Sequence, residues 1–371
     1  MPRILTVALL LALLSSASGV QAQKAALPAA GAAVVALPMP ASSSPSTAAD
    51  LLSQVDLAHW SGWIRQLSGV DPVTVGGQPF TISTRYSDAL FNDAAPNGRS
   101  RAFDFVREQV SGWYPAADPS AQIEEDAYQP YGSTGPTWKN LVLTIFGTEH
   151  PEQIVMLTAH LDDTSPYYER NTSAPGADDN ATGSATLLEA ARVLQGHPLR
   201  RTVRLIWFTG EEQGLLGSSA YVADHALTGV VGVINLDMFG YDNDNDRCFE
   251  LHVGTLPASD LLGRWFAGAI HAFGINLKYD YITSGATRSS DHRSFWDKNV
   301  AALEVLENYQ NNNDPAGCVG SDWNPYYHTT SDTYDRLNLP FSFDVARAAL
   351  AAFFTLANPF QYIIPLVKSD S

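Results

Sequence analysis

The sequence predicts an α/β protein, a three-layer α/β/α sandwich around a central mixed, mostly parallel sheet. Three observations carry that expectation. Short β-branched and aromatic runs such as Val203-Arg204-Leu205-Ile206-Trp207-Phe208 read as strands buried on both faces. These runs alternate with segments whose apolar residues recur at helical spacing. Acidic and histidine residues stand directly after several of the runs, where open α/β sheets hold their ligands.

Taken in order, the chain begins Met-Pro-Arg, continues with an apolar run over residues 4–14 and small residues ending Val20-Gln21-Ala22. This is the pattern of a secretory signal peptide over 1–22, with a mature chain expected to start near Gln23 and a secreted or periplasmic location. The run is too short to cross a bilayer, which takes about 20 residues, and no later segment is longer without a charge or proline, so no membrane span is expected. Residues 23–50 are rich in Ala, Pro and Ser and read as a linker or pro-segment. The domain proper is expected over 51–371. Its apolar spacing predicts helices over 51–67 and 100–113, with Ser100 as a cap. Strands follow over 140–146 and 154–159, then a helix over 184–194, a strand over 203–208, a helix over 218–225 and a strand over 230–236. A helix over 258–273, a strand over 301–306 and a closing helix over 343–356 complete the alternation. The polar loops 167–176 and 308–327 are long enough to be expected at a cleft.

The formal charge of −17 excludes a phosphate-backbone partner, because nucleic-acid binders carry basic patches. Cys248 and Cys318 are the only cysteines. In an oxidising compartment they form one disulfide or stay as two buried thiols, and neither stands near the candidate ligands, so a cysteine-type structural zinc site is not expected.

Phe208-Thr209-Gly210-Glu211-Glu212-Gln213-Gly214 places two adjacent carboxylates where a strand gives way to a glycine-rich turn. Two carboxylates there need a cation or a proton. His160 and Asp162 follow another strand, Asp179 lies in a Gly/Asp loop at a helix entry, Asp237 follows a third strand and His328 stands in a polar loop. Singly these are weak: His-x-Asp occurs in surface turns, and Asp and Asn are common helix caps. Together they supply the donors wanted by two divalent ions that share a carboxylate. Asp162 is expected to orient His160, since a ligating imidazole commonly donates its second N–H to a carboxylate.

The pieces His160-Leu161-Asp162, Gly176-Ala177-Asp178-Asp179-Asn180-Ala181-Thr182-Gly183, Glu211-Glu212-Gln213-Gly214-Leu215-Leu216-Gly217-Ser218, Leu236-Asp237-Met238 and Tyr327-His328-Thr329-Thr330-Ser331-Asp332-Thr333 occur in one order. From residue 51 onward the chain thereby resembles the secreted bacterial co-catalytic di-zinc aminopeptidases of leucyl aminopeptidase type, zinc exopeptidases of phosphorylase/hydrolase-like fold. The resemblance implies two zinc ions per chain. Asp179, four positions before Gly183, would bridge them; His160 and Asp237 would complete one site, Glu212 and His328 the other. Asp178 would not be a ligand. Glu211 would be the general base that takes a proton from water and passes it to the leaving amine. The Asp179–Asn180 peptide bond is expected to be cis. Tyr327 has two readings, a donor to the scissile carbonyl oxygen or an aromatic packed beside the site. Substrates would be peptides with a free N-terminus, with a large apolar first residue, cut by a monomer.

Ser290-Asp291-His292 matches a motif that supports the site without ligating. Just upstream, Gly285-Ala286-Thr287-Arg288-Ser289 departs from one branch of the family, which leaves the shape of the side-chain pocket open, with Met238, Phe239 and Phe295 as candidate walls. Asp242-Asn243-Asp244-Asn245-Asp246 lacks the glycine and glutamate of an EF-hand, where Arg247 and Val253 stand, and is expected to be a solvated turn. The sequons at Asn171 and Asn180 are discounted, and His197, His225, His252 and His271 are expected on the surface or in the core. Three rivals stand beside the aminopeptidase: a glutaminyl cyclase, which works with a single zinc; a carboxypeptidase, whose signature would be Arg288 or Arg293 facing a substrate carboxylate; and a non-catalytic binding module.

Overall fold

The computed structural model describes residues 47–359 except 133–134, 311 and 314–316, with 312–313 described by backbone alone. The expected signal peptide and residues 23–46 of the expected linker lie outside the described residues. The end of that linker is helical. Thr47 Oγ1 accepts from the Asp50 N–H and Asp50 Oδ2 from the Thr47 N–H, both at 3.0 Å, a capping box that starts α1 (Ala48–Leu52). The single helix expected over 51–67 is two. Asp56 accepts from the His59 N–H at 3.0 Å and caps α2 (Leu57–Leu67), which buries Trp60, Trp63, Ile64 and Leu67 along one stripe.

A hairpin of β1 (Val73–Val75) and β2 (Gln78–Phe80), the short α3 (Ser87–Phe91) and α4 (Ala102–Trp113) lead to the sheet. Ser100 is not the cap of α4. Its hydroxyl donates to the Thr84 carbonyl at 2.6 Å, and Arg101 holds the cap position without a side-chain bond. Then come β3 (Ala121–Tyr128), β4 (Trp138–Ile145), β5 (His150–His160), α5 (Ala181–Leu194), β6 (Arg201–Phe208), α6 (Leu216–Asp224), β7 (Val230–Leu236), β8 (Cys248–His252), α7 (Pro257–Ala272), β9 (Lys278–Ile282), α8 (His292–Trp296) and β10 (Ala302–Glu307). A two-residue pair, β11 (Asn312–Asn313) and β12 (Val319–Gly320), a 3-10 turn (Tyr334–Arg336) and α9 (Leu339–Ala357) end the described chain.

The eight-stranded sheet has the order β3-β4-β6-β5-β7-β10-β8-β9. Its centre, β6-β5-β7-β10, is parallel, as is β8-β9; β3-β4, β4-β6 and β10-β8 are antiparallel. Side chains alternate across it as a strand's period of two requires. Along β6, Leu205 and Trp207 enter the core shared with α5 and α9, whereas Ile206 and Phe208 join Tyr221, Phe295 and Trp296 under α6 and α8. Both faces are covered, which is what lets the central strands be parallel and apolar throughout. α9 is long and apolar enough, by length and composition, to cross a membrane; in this fold its Phe341, Leu350, Phe353 and Phe354 are part of the core.

Register sets the site. His160 pairs with Phe208, Thr158 with Asn235 and Leu236 with Val305, so the carboxyl ends of β5, β6, β7 and β10 finish side by side. On the far side of β10, Cys248 and Cys318 are disulfide-bonded, with Cα atoms 5.3 Å apart and a sequence separation of 70. A cross-link over a loop of that length removes chain entropy worth about 4 kcal/mol. Replacing both cysteines by alanine is expected to lower unfolding stability by about 2–4 kcal/mol, read from urea unfolding extrapolated to zero urea, with a steeper slope because the uncross-linked denatured chain exposes more surface.

Candidate metal centre

His160 closes β5, and its Nδ1 lies 3.0 Å from the Asp162 main-chain carbonyl, to which an N–H there would donate. That bond leaves Nε2 free to face the cleft. The expected carboxylate–imidazole bond is not made: Asp162 Oδ1 is 4.0 Å from Nδ1. The Asp162 carboxylate instead accepts from Ser87 Oγ at 2.8 Å and from the Glu211 and Glu212 N–H groups at 3.3 Å each. Asp162 therefore positions the imidazole through its backbone and the acidic turn through its side chain.

Asp179 is the centre of the arrangement. Its Oδ1 lies 3.2 Å from His160 Nε2 and its Oδ2 3.3 Å from His328 Nε2. Asp237 Oδ1 stands 3.1 Å from the same nitrogen of His160, and Glu212 Oε2 2.9 Å from that of His328. One carboxylate thus offers each oxygen to a different histidine, and each histidine meets a second, different carboxylate. Donors about 2.0–2.1 Å from a tetrahedral zinc sit about 3.3 Å from one another, so these separations fit two zinc positions on either side of Asp179. Glu212 Oε1, buried and without a hydrogen-bond partner, is a further free donor. The nitrogen and oxygen donor set suits zinc.

The loop that carries Asp179 is fastened from several sides. The Asp179–Asn180 bond is cis, as expected. Asn180 Oδ1 accepts from the Gly183 N–H at 2.9 Å, capping α5, while its amide donates to the Leu236 carbonyl at 2.7 Å. Asp332, four residues after His328, accepts from the N–H groups of both Asp178 and Asp179 at 3.0 Å. Arg85 is fully buried beneath the loop and donates to the carbonyls of Leu161, Leu67, Pro175 and Gly176. Asp178 points away, accepting from the Gly240 N–H at 2.6 Å and the Asn324 amide at 2.8 Å. A Cβ on Gly240 would lie 2.7 Å from the Asp178 carboxylate, so this approach requires glycine.

Charge in the cluster is strongly shifted. Burial pushes the Glu211 carboxyl well up, with Glu212 and Asp237 adding to the shift and His160 opposing it. Burial and Asp179 likewise push Glu212 up to about 7. His328 is raised to about 11 because Asp179 and Glu212 outweigh its burial. Asp179 is held below the usual carboxylate range, against burial, by its two histidines. Such opposed shifts within one cleft mark a functional site.

A cavity of about 130 Å³ opens beside this cluster, with His160, Asp179, Glu211 and Asp237 on its inner wall. Met238, Leu306 and Tyr309 supply apolar surface, and Thr287, Ser289 and the buried Glu304 polar surface. Tyr327 also lines it and stacks on the His328 ring with centroids 3.7 Å apart. Burial pushes the Tyr327 hydroxyl up, so it stays a donor. Of the candidate walls, Phe239 and Phe295 are core residues and do not line the cavity. In the supporting motif, Ser290 Oγ accepts from Asn235, which accepts from Thr158, tying the α8 loop to β7 and β5. His225 and His252 have carboxylate partners, Asp126 at 3.1 Å and Glu250 at 2.7 Å. Arg85 and Glu304 carry no sequence signal of a site. Asp332 does, as part of the His328 motif, and its structural role was the part not read.

A sequence profile of peptidase family M28 matches residues 140–353. Leucine aminopeptidase 1 of Trichophyton equinum is 33% identical over 232 residues, covering 59% of this chain and 58% of that protein. The matches span from 29% to 61% of the length of the curated relatives. In fold it is similar to the LapA aminopeptidase of Legionella pneumophila, with TM-score 0.62, 21% identity and coverage of 84% and 74% of the two chains. It is also similar in fold to a glutaminyl cyclase of Bacteroides thetaiotaomicron, with TM-score 0.58, 16% identity and coverage of 81% and 98%.

Proposed function

The chain belongs to peptidase family M28, and from that membership we propose that it is an exported aminopeptidase using two zinc ions to release N-terminal residues from peptides. The observation that carries this reading is the single carboxylate of Asp179 facing His160 with one oxygen and His328 with the other. One zinc held by His160, Asp237 and Asp179, and a second held by His328, Glu212 and Asp179, would supply Lewis acidity toward the scissile carbonyl and toward water. Glu211 is the acidic residue of the inner wall without a histidine contact. It takes the proton of the attacking water as the oxygen bonds to the carbonyl carbon, and delivers it to the amine as the carbon–nitrogen bond breaks. Its raised affinity for a proton suits that second step. Tyr327 donates to the carbonyl oxygen as charge develops there.

An N-terminal substrate brings an ammonium group, and the cavity wall is acidic, with Asp179, Glu211, Asp237 and Glu304 and no lysine or arginine among its lining residues. Arg288 and Arg293, the candidate signature of a carboxypeptidase, both face Asp297 on the surface. The pairing of both histidines with their own carboxylates favours the two-zinc peptidase over the cyclase, and the intact set with Glu211 favours an enzyme over a binding module. Met238, Leu306 and Tyr309 support a large apolar first residue. Glu304, Thr287 and Ser289 make lysine the next side chain to try. Export is supported by the N-terminal pattern and by the Cys248–Cys318 disulfide.

The test is hydrolysis of leucine anilide and its N-acetyl derivative by the mature protein. Only the free amine is expected to be cut, with activity abolished by a chelator and restored by zinc. Equal cleavage of both substrates, or activity indifferent to chelation, would overturn the proposal.

A further inference from the structure

The acidic run after β7 is exposed at Asn243, Asp244 and Asn245, as its sequence suggests, but its first member, Asp242, is buried. One carboxylate oxygen from each of Asp242, Asp244, Asp246 and Asp322 lies within 4.8 Å of the others, and Asp322 comes from a segment more than seventy residues further on. Asp242 and Asp322 are 5% and 4% exposed. Asp242 Oδ2 accepts from the Asn338 amide at 2.9 Å, while Oδ1 is buried without any hydrogen-bond partner. Asp322 is held in place by the Asn243 N–H at 3.2 Å and the Asn308 amide at 3.3 Å. Lys278 reaches only the outer Asp246, at 3.3 Å, from a half-exposed position. The Arg247 side chain turns away to Asp344 and the Asn276 carbonyl. A buried carboxylate oxygen with no donor, among three more carboxylates and one peripheral ammonium, is costly unless a cation meets it.

We propose that Asp242, Asp244, Asp246 and Asp322 form a binding site for a divalent hard cation of the calcium class, separate from the zinc centre. The donors are all oxygen, with no imidazole or thiolate, which selects calcium over zinc. Four carboxylates leave room for the carbonyl and water oxygens that complete six to eight ligands. Repulsion within the group agrees with this: burial first, then Asp322, Asp246 and Asp244, push Asp242 up to about 6 against the opposing backbone N–H of Arg247. The cation would join the loop after Asp237 to the segment leading into Tyr327 and His328. That segment is already tied to the metal-centre loop through Asn324 and Asp178, and to β8 through Cys318. Calcium would therefore stiffen the stretch that delivers His328.

The experiment titrates calcium chloride into zinc-loaded mature protein by calorimetry and follows thermal unfolding in parallel. The wild type is expected to bind one calcium per chain with a dissociation constant of about 10⁻⁴–10⁻³ M and to gain at least about 2 °C in Tm at ten times that concentration. The double variant Asp242→Asn/Asp322→Asn is expected to lose both responses while keeping its zinc and its circular dichroism. Absence of heat and of any Tm change in folded, zinc-loaded wild type at 10 mM calcium would overturn the proposal. So would unchanged binding by the folded variant. Terbium emission sensitised through neighbouring Tyr241 gives a second readout in the wild type alone, independent of whether the variant folds.

Discussion

Glu211→Gln is expected to lower kcat by about 10³-fold or more while leaving two zinc ions bound and KM within a few-fold of its original value. The side chain lines the cavity beside His160, Asp179 and Asp237, yet it pairs with neither histidine, whereas Glu212 next to it stands 2.9 Å from His328. Glutamine keeps the size of glutamate and its hydrogen-bonding oxygen but cannot take up a proton. The variant therefore isolates proton transfer from packing and from ligation. Its backbone N–H still meets Asp162, so the turn keeps its shape. Zinc content by atomic absorption and anilide turnover are measured on one preparation. A variant that keeps a tenth of the activity would remove Glu211 from its role as base, and one that loses zinc would show that it ligates.

Which of Glu211 and Glu212 faces His328 was expected from the resemblance alone, whereas the pair itself was legible at the end of an unbroken apolar run. The same holds for β5, β6 and β7, whose unbroken apolar runs match their burial on both faces. β3 was missed because it is an edge strand, where Glu124, Glu125 and Asp126 break up the apolar period. β8 and β9 were missed because each is five residues long with an acid inside, Glu250 and Asp280. The residues that hold the site were less legible than those that form it. Arg85 works by donating to main-chain carbonyls, an interaction with no residue-type signature on the accepting side. Asp322 joins Asp242 only through the fold, so the acidic run looked like an isolated turn. Asp162 was assigned to the right neighbourhood and the wrong bond, because spacing shows that two residues are close but not which atom of a residue does the work.

Asp178 and Asp179 are adjacent in sequence, identical in chemistry and both fully enclosed, so substituting each in turn isolates position as the variable. Asp179→Asn is expected to abolish turnover by at least about 10³-fold and to weaken the second zinc by more than the 10–100-fold that loss of a supporting group costs, since it removes the charge shared by both sites. His160 and His328 would each lose their common carboxylate, and the remaining pairs, His160 with Asp237 and His328 with Glu212, are no longer joined. Asp178→Asn should behave in the opposite way. Its carboxylate accepts from the Gly240 N–H and from Asn324 and meets the Glu307 carboxyl, so an amide there loses one of the two donors while its NH₂ can turn to Glu307, a loss of about 1 kcal/mol in stability with zinc content unchanged. The two variants are compared by zinc stoichiometry after dialysis and by urea unfolding. Metal retention in Asp179→Asn together with metal loss in Asp178→Asn would mean that the loop presents the other aspartate, and the bridging assignment would fall with it. The expected pattern follows from the loop's fastening: Asp332 receives both backbone N–H groups, Asn180 caps α5, and Gly240 draws Asp178 inward, which leaves Asp179 facing the two histidines.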